Sequence, residues 1–178
     1  MTVICIQYHK TKIGELVLGS FEGNLCLLDF RYRKMRRVVD DRLKRGLKAD
    51  FIEEDSDIIE KTRTELDEYF QEKRQEFNIP IQMVGTDFQK SVWNALLKVT
   101  YGTTSSYLQL AKKINNEKAV RAVAGANGAN AIAIIIPCHR IIGSSGELVG
   151  YAGGLTTKKY LLTLEQKQEF YTQIPLPL

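Results

Sequence analysis

Residues 136–142 contain the side chains of this sequence that are best suited to nucleophilic chemistry. The segment is Ile-Pro-Cys-His-Arg-Ile-Ile, so that Cys138, His139 and Arg140 interrupt an apolar run. A histidine beside a cysteine can accept the thiol proton, and cationic neighbours favour the thiolate, which is the reactive form of cysteine. Pro137 has a fixed φ and restricts the residue before it. The pattern therefore predicts that Cys138 is a nucleophile presented at a defined bend, and Arg140 is interpreted as a structural residue that satisfies buried carbonyls.

Two glycine-rich segments follow the cysteine closely. They are Gly-Ser-Ser-Gly at residues 143–146 and Gly-Tyr-Ala-Gly-Gly at residues 150–154. Loops of this kind let a ligand approach backbone groups, which favours a functional site. The alternative is an inert buried cysteine beside a histidine that has its own structural partner.

The composition is that of a folded chain. Of the 178 residues, 44% are hydrophobic and 26% are charged, and no apolar run approaches the roughly 20 residues that span a bilayer. The first ten residues lack the basic flank and the apolar core of a signal peptide. Three cysteines are too few for a disulfide scaffold, so the sequence predicts a cytoplasmic protein with no membrane contact.

The net charge of +4 is concentrated in the second half of the chain. Residues 1–85 contain 15 Lys and Arg against 16 Asp and Glu, a net charge of −1. Residues 86–178 contain 10 against 5, a net charge of +5. The second half is therefore the candidate for contact with a polyanion, although ordinary solubilising charge gives the same numbers.

The first half is predicted to be a small antiparallel sheet with helices, and the second half to be mainly helical. The predicted strands are residues 3–8, 15–21 and 25–30, and the predicted helices are 35–45, 57–71, 88–99, 105–114, 117–125 and 155–171. Residues 78–85 form a connection that separates a domain at 1–85 from a domain at 86–178. The fold class is α/β (α+β), with a winged-helix-like second domain.

Two details of the second half concern its function. The short helices 105–114 and 117–125, joined by a turn at Asn115-Asn116, suggest a helix-turn-helix, a motif that binds DNA. The apolar run at residues 131–136 is predicted to be a buried extended segment that ends at Pro137.

The segment Asn-Ala-Ile-Ala-Ile-Ile-Ile-Pro-Cys-His-Arg-Ile-Ile at residues 130–142 and the segment at 150–154 closely resemble the signature of the O6-alkylguanine-DNA alkyltransferases. These proteins are also called methylated-DNA–protein-cysteine methyltransferases. The resemblance covers residues 86–165 densely and rests also on the segments 88–93, 106–107 and 121–123 and on Lys158 and Glu165. Residues 1–80 match the family only in general layout.

The resemblance implies a repair protein that acts once on DNA. A guanine with an alkyl group on O6 would be flipped out of the duplex, and the Cys138 thiolate would take the alkyl group by in-line displacement. His139 would accept the thiol proton through a water molecule, with Glu165 orienting its imidazole. Tyr107 would donate a proton or a hydrogen bond to the departing guanine. The implied partner is double-stranded DNA that contains O6-alkylguanine, bound by a monomer without a metal or an organic cofactor.

The resemblance also implies roles in DNA binding. Arg121, on the second helix of the helix-turn-helix, would enter the base stack and fill the space that the flipped base leaves. Small residues around Arg121 would let this helix approach a minor groove closely. Asn130 would connect the motif to the cysteine loop. The edge of the base would be contacted by the backbone carbonyls of Cys138 and Ile141 and by the amide of Ala152, beside Tyr151.

Some members of the family carry a structural zinc ion in the N-terminal domain. Here Cys5, His9 and Cys26 supply at most three ligands, whereas structural zinc usually takes four, so no metal site is predicted.

Three other functions agree with only part of the sequence. A non-catalytic protein that binds alkylated DNA would lack the acceptor cysteine. A cysteine hydrolase built on Cys138 and His139 would turn over repeatedly, would need an oxyanion hole, and would leave the helix-turn-helix unexplained. A plain transcription regulator would give no role to the Pro-Cys-His-Arg segment.

Overall fold

The computed structural model describes residues 2–166, which divide into two compact units. The first unit contains the described residues through Thr86 together with Ala131–Ile135. The second contains Asp87–Asn130 and the described residues from Ile136 onward. The predicted boundary after residue 85 lies one residue from this division, whereas the placement of residues 131–135 differs from the prediction.

The first unit is built on a four-stranded sheet. Its elements are β1 (Val3–Thr11), β2 (Gly14–Phe21), β3 (Asn24–Phe30), α1 (Arg36–Leu47), β4 (Asp50–Ile52) and α2 (Asp57–Phe70). The strand order is β3-β2-β1-β4. The three predicted strands pair antiparallel, and β4, which was not predicted, adds a parallel edge beside β1. Three residues are too few to give a periodic pattern in the sequence.

Both helices of the first unit bury an apolar stripe. In α1 the buried residues are Val39 and Leu43, and in α2 they include Ile59, Leu66 and Tyr69. Ser56 is the N-cap residue of α2. Its hydroxyl accepts a hydrogen bond from the Ile59 N–H at 3.3 Å, which satisfies one of the free N–H groups at the start of the helix.

The candidate zinc ligands lie on the strands of this sheet. Cys5 and His9 are on β1 and Cys26 is on β3, and His9 Nε2 lies 3.1 Å from a carboxylate oxygen of Asp67. Within residues 2–166, no group of three or more His, Cys, Asp or Glu side chains is arranged to hold a metal ion.

The second unit is mainly helical, and the α/β fold class is confirmed. Its elements are α3 (Asp87–Leu96), β5 (Ser105–Ser106), α4 (Tyr107–Lys113), a 3₁₀ turn (Glu117–Ala119), α5 (Val120–Gly128), a 3₁₀ turn (Cys138–Arg140), β6 (Ile141–Ile142) and α6 (Leu155–Gln166). The short strands β5 and β6 pair in parallel. The predicted continuation of the last helix to residue 171 lies outside the described residues.

The helix-turn-helix is formed by α4 and α5, which pack against each other. Ser106 and Gln109 form two reciprocal hydrogen bonds at the start of α4. The Ser106 hydroxyl accepts from the Gln109 N–H, and the Gln109 side chain accepts from the Ser106 N–H. This capping box fixes the position of Tyr107 at the first turn of the helix.

The prediction of an extended segment at residues 131–136 is wrong in conformation, although nearly all of these residues are buried. The chain forms turns, with Ile134 at a φ of +71°, which a β-branched residue rarely adopts. Leu28 of β3 holds the segment in the first unit: its N–H donates to the Ala131 carbonyl at 2.8 Å and its carbonyl accepts from the Ala133 N–H at 2.7 Å. An apolar run has no periodicity that distinguishes a strand from buried turns.

None of the helices within residues 2–166 combines the length and the apolar character needed to cross a membrane.

Candidate active site

Cys138 begins the 3₁₀ turn that follows Pro137 and is only 8% exposed. The Asn130 side-chain amide lies against it, because Nδ2 is 3.3 Å from the Cys138 Sγ and 2.9 Å from the Ile136 carbonyl oxygen. Asn130 follows the end of α5 by two residues, so its side chain connects the helix-turn-helix to the cysteine turn. A hydrogen-bond donor directed at sulfur favours the thiolate over the thiol.

The next residue, His139, is fully buried and paired with Glu165 of α6. The distance from His139 Nε2 to Glu165 Oε1 is 2.8 Å. Arg140 binds both oxygens of the same carboxylate, at 2.8 and 2.9 Å, and also donates to the Val99 carbonyl at 2.7 Å. The interpretation of Arg140 as a residue that satisfies a buried carbonyl agrees with this geometry, but its contact with the partner of His139 was not anticipated.

The electrostatics of this cluster favour an ionised Glu165 and a neutral His139. Burial opposes the ionised form of Glu165, but the charges and hydrogen bonds of His139 and Arg140 outweigh it and hold the pKa of this carboxyl well below its usual range. Burial lowers the pKa of His139, and Glu165 offsets this only in part, because Arg140 already neutralises the carboxylate. A neutral His139 that donates from Nε2 to Glu165 has its lone pair on Nδ1.

The Nδ1 atom of His139 is buried and has no hydrogen-bond partner among the described protein groups. A buried acceptor of this kind is costly to leave unsatisfied, and it is the atom that a proton from a neighbouring thiol would reach, directly or through a water molecule. The arrangement is therefore that of a thiol beside a general base whose orientation is fixed by a carboxylate.

This pair predicts that acid destabilises the protein through His139. Because the pKa of His139 is lower in the folded state, the unfolded chain takes up this proton first as the pH falls through about 6.5. The free energy of unfolding should therefore decrease between pH 7 and 5 more steeply in wild type than in a His139→Gln variant. Denaturant titrations over this range measure both slopes, and equal slopes would show that His139 does not titrate as described.

Tyr107 is the first residue of α4 and is half-buried. Its hydroxyl donates to the Val149 carbonyl at 3.2 Å. Burial and the nearby negative charge of Cys138 raise the pKa of Tyr107, so the phenol keeps its proton near neutral pH. Gly150, at a φ of +53°, borders this hydroxyl, since a Cβ built there would lie 4.0 Å from it.

Lys158 of α6 is a buried residue of the site to which sequence reasoning gave no role. It has no exposed surface, and its ammonium donates to the carbonyls of Ile141, Val149 at 2.8 Å and Gly150 at 3.2 Å. Burial lowers the pKa of Lys158 to about 8, and the negative charge of Cys138 partly offsets the effect. Lysine is almost never fully buried unless it is paired, so the hydropathy pattern gives no sign of this burial, although Lys158 is one of the positions on which the family resemblance rests.

Tyr151 and Ala152 lie in the turn that leads to α6 and are both partly buried. The rings of Tyr151 and His139 are 6.5 Å apart at an interplanar angle of 65°, an edge-to-face arrangement. The ring of Tyr151 therefore packs beside His139, and Ala152 is the next residue along the chain.

Asn127, in the last turn of α5, is a second buried residue to which no role was given. Its side chain is 94% buried, with Nδ2 3.5 Å from the carbonyl oxygen of Cys138, and its Oδ1 has no partner among residues 2–166. The Cys138 carbonyl thus lies near an amide N–H on the side of α5.

Arg121 is in the first turn of α5 and is exposed. Its neighbours on the exposed face of this helix are small: Ala122, Ala124, Gly125 and Gly128 are all exposed, while Val123 is buried. The spacing of apolar residues in 117–125 predicts that Ala124 faces inward, which is wrong because Ala124 is exposed. A helix surface of alanine and glycine can approach a groove closely, with one arginine projecting from it.

Two family models match the chain. The description "6-O-methylguanine DNA methyltransferase, DNA binding domain" covers residues 87–167, and "6-O-methylguanine DNA methyltransferase, ribonuclease-like domain" covers residues 4–83. Cys138, His139, Arg121 and Glu165 all lie within the first of these matches.

Relatives and solved structures agree with these models. The chain is 44% identical over 157 residues to the methylated-DNA–protein-cysteine methyltransferase of Methanosarcina barkeri, which covers 88% of this chain and 94% of that protein. The crystal structure of Mycobacterium tuberculosis OGT in complex with DNA is similar at 36% identity and a TM-score of 0.77, covering 90% of this chain and 92% of that one. The M. tuberculosis O6-methylguanine methyltransferase gives 34% identity and a TM-score of 0.76, covering 98% and 97%. The expected resemblance is confirmed, and the chain belongs to the 6-O-methylguanine DNA methyltransferase family.

Proposed function

We propose that this chain repairs O6-alkylguanine in double-stranded DNA by transferring the alkyl group irreversibly to Cys138. One observation carries the proposal: the buried Cys138 sulfur accepts a hydrogen bond from Asn130 and is followed directly by a neutral histidine held by Glu165. The names of the relatives, methylated-DNA–protein-cysteine methyltransferases, support the same reaction.

The reaction begins with the loss of the Cys138 thiol proton to Nδ1 of His139, through a water molecule. Glu165 stabilises the imidazolium that forms, as a carboxylate does in a hydrolase triad. The thiolate then attacks the alkyl carbon in line with the bond to O6. A carbon–sulfur bond forms, the carbon–oxygen bond breaks, and its electron pair leaves with the guanine.

The departing guanine needs a proton or a hydrogen bond as negative charge develops on it. Tyr107 supplies it, because its hydroxyl is directed at the loop of Val149 and Gly150, beside Cys138, and its raised pKa keeps the phenol protonated. The product at Cys138 is a thioether, and none of the described groups of the site can remove its alkyl group. Each protein molecule therefore repairs one lesion.

Backbone groups around the cysteine bind the extrahelical base. The carbonyls of Cys138 and Ile141 accept hydrogen bonds from the base edge, and the Ala152 amide donates one, with Tyr151 beside it. Lys158 already donates to the Ile141 carbonyl and fixes its direction, and a carbonyl oxygen has a second lone pair for the base.

DNA binds along the exposed face of α5. Its small residues let the helix enter the minor groove, and Arg121 occupies the place of the flipped base, which offsets the cost of unstacking. We divide the chain into domains at 1–85 and 86–178. The residues proposed for the chemistry and for DNA binding all lie in the second domain and outside residues 131–135, which belong to the first compact unit. The protein acts as a monomer in the cytoplasm, where cysteines remain reduced.

The proposal is tested by titration of a duplex containing O6-methylguanine with the protein. The amount of guanine restored should equal the amount of protein added and should not increase on longer incubation. Repeated turnover would instead indicate a hydrolase, and tight binding without repair would indicate a binder of alkylated DNA.

Replacement of Glu165 by glutamine should slow methyl transfer about tenfold at neutral pH. The amide still orients the imidazole but no longer stabilises its charged form, so only part of the 10²–10⁴-fold gain typical of a general base is lost. The transfer rate should recover as the pH rises and the thiol ionises without help. Transfer from the free O6-methylguanine base over pH 6–9 measures this.

The matched control for this variant is Glu60→Gln, which removes an exposed carboxylate from α2. Duplex affinity should be the same in both variants. If Glu165→Gln transfers methyl groups at the wild-type rate at pH 7, Glu165 has only a structural role.

A further inference from the structure

A polar cleft in the second unit lies apart from the residues of the proposed reaction. Its volume is about 430 Å³, and its lining includes Lys98, Lys112 and Lys113 together with Thr100, Thr103 and Thr104. Lys98 and the threonines belong to the connection between α3 and α4, and the other two lysines form the last turn of α4. Among residues 2–166, none of the acidic side chains lines the cleft.

The positive charge in this cleft is not compensated within the described part of the chain. Lys98, Lys112 and Lys113 are exposed, and none of their ammonium groups forms a hydrogen bond or an ion pair with any of residues 2–166. A cleft of the first unit is different: it is lined by Lys44, Arg45 and Lys48, but also by Asp50, which lies 3.9 Å from the Lys44 ammonium.

The dipoles of the nearby helices explain the position of each lysine separately, but they do not explain why all three lysines line one cleft. Lysine near a helix C-terminus interacts favourably with the helix dipole, and this applies to Lys112 and Lys113 on α4 and to Lys98 after α3. That interaction requires no shared cleft and no hydroxyl groups beside it. Three lysines and three threonines that line the same cleft offer instead a set of donors for a tetrahedral oxyanion.

We propose that this cleft binds a phosphate group. The source that fits best is the DNA backbone, an assignment that rests on the proposed function, because the first helix of a helix-turn-helix crosses the backbone while the second enters a groove. The lysines then fix the position of the duplex along the protein, since phosphate contacts position a protein without selecting a base sequence. Free phosphate is the other source of the same chemistry.

The test replaces the three lysines together, as Lys98→Gln, Lys112→Gln and Lys113→Gln. The matched control carries Lys10→Gln, Lys12→Gln and Lys73→Gln, which change the net charge equally at exposed positions of the first unit. Duplex affinity is measured as a function of salt concentration. Each phosphate contact that is lost should lower the slope of log K against log salt by about 0.9, so the cleft variant should lose about 0.9 and the control none.

A second arm separates the two sources of phosphate. Inorganic phosphate is titrated into the wild-type protein while the backbone amide resonances of Thr100, Thr103 and Thr104 are recorded by NMR. Saturable shifts that the cleft variant lacks, with an unchanged salt slope, would assign the cleft to free phosphate.

An unchanged slope together with unshifted resonances would overturn the proposal. Methyl transfer from the free base, which needs no duplex, should be the same in wild type and in both variants. A protein that transfers no methyl group would refute the proposed function, whereas the phosphate titration would still decide the role of the cleft.

Discussion

A Cys138→Ser variant is expected to transfer no methyl group while it binds duplex DNA with wild-type affinity. The thiolate is the nucleophile. A serine hydroxyl is far too weak an acid to lose its proton to His139 and form an equivalent anion. The Asn130 amide and the His139–Glu165 pair remain in place, so the loss is one of reactivity. Repair of O6-methylguanine duplex and equilibrium binding of the same duplex are the two measurements.

Cys5→Ser is the matched control for this variant. Cys5 is a partly buried free cysteine on β1, and its replacement should leave repair intact. Full repair by Cys138→Ser, or loss of repair in Cys5→Ser at unchanged stability, would assign the acceptor to another residue.

Replacement of Arg121 by alanine should reduce the rate of repair in duplex DNA about a hundredfold. The arginine stabilises the duplex from which the base has been flipped and offsets a few kcal/mol of unstacking, and about 2.7 kcal/mol corresponds to a factor of a hundred. Reaction with the free O6-methylguanine base requires no flipping, so its rate should not change. The measured quantity is the ratio of the duplex rate to the free-base rate.

Lys118→Ala is the comparison for Arg121→Ala, because Lys118 is an exposed cation in the 3₁₀ turn before α5. Its loss should weaken duplex binding modestly and make it less dependent on salt, as expected for a phosphate contact. If Arg121→Ala has the wild-type ratio of rates, the arginine is only another surface charge.

The features that the sequence predicted correctly depend on local signals. Ser105 and Ser106 both precede a helical pattern and predict a cap at one of these two positions, and the capping box of α4 places it at Ser106. The α/β fold class and the family resemblance are also confirmed. The Pro-Cys-His-Arg segment is a local signal too, because polar reactive residues are rare directly after an apolar run, and the roles of Cys138 and His139 in the reaction stay a prediction.

The features that the sequence did not predict depend on contacts between distant residues. Arg140 reaches Glu165 across 25 positions and Val99 across 41, and Lys158 reaches the Ile141 carbonyl across 17. No spacing rule relates such residues. The turns at 131–136 were missed for a similar reason, because their hydrogen bonds are made with Leu28 of β3.

In the proposed reaction the alkyl group ends on Cys138 and stays there. Intact-mass analysis of the protein after incubation with an excess of O6-methylguanine duplex tests it most directly, with peptide mapping to locate the change. The expected result is a gain of one methyl group per protein molecule, on the peptide that contains Cys138, with no further repair afterwards. If the duplex is repaired and the protein remains unmodified, the alkyl group is not transferred to Cys138.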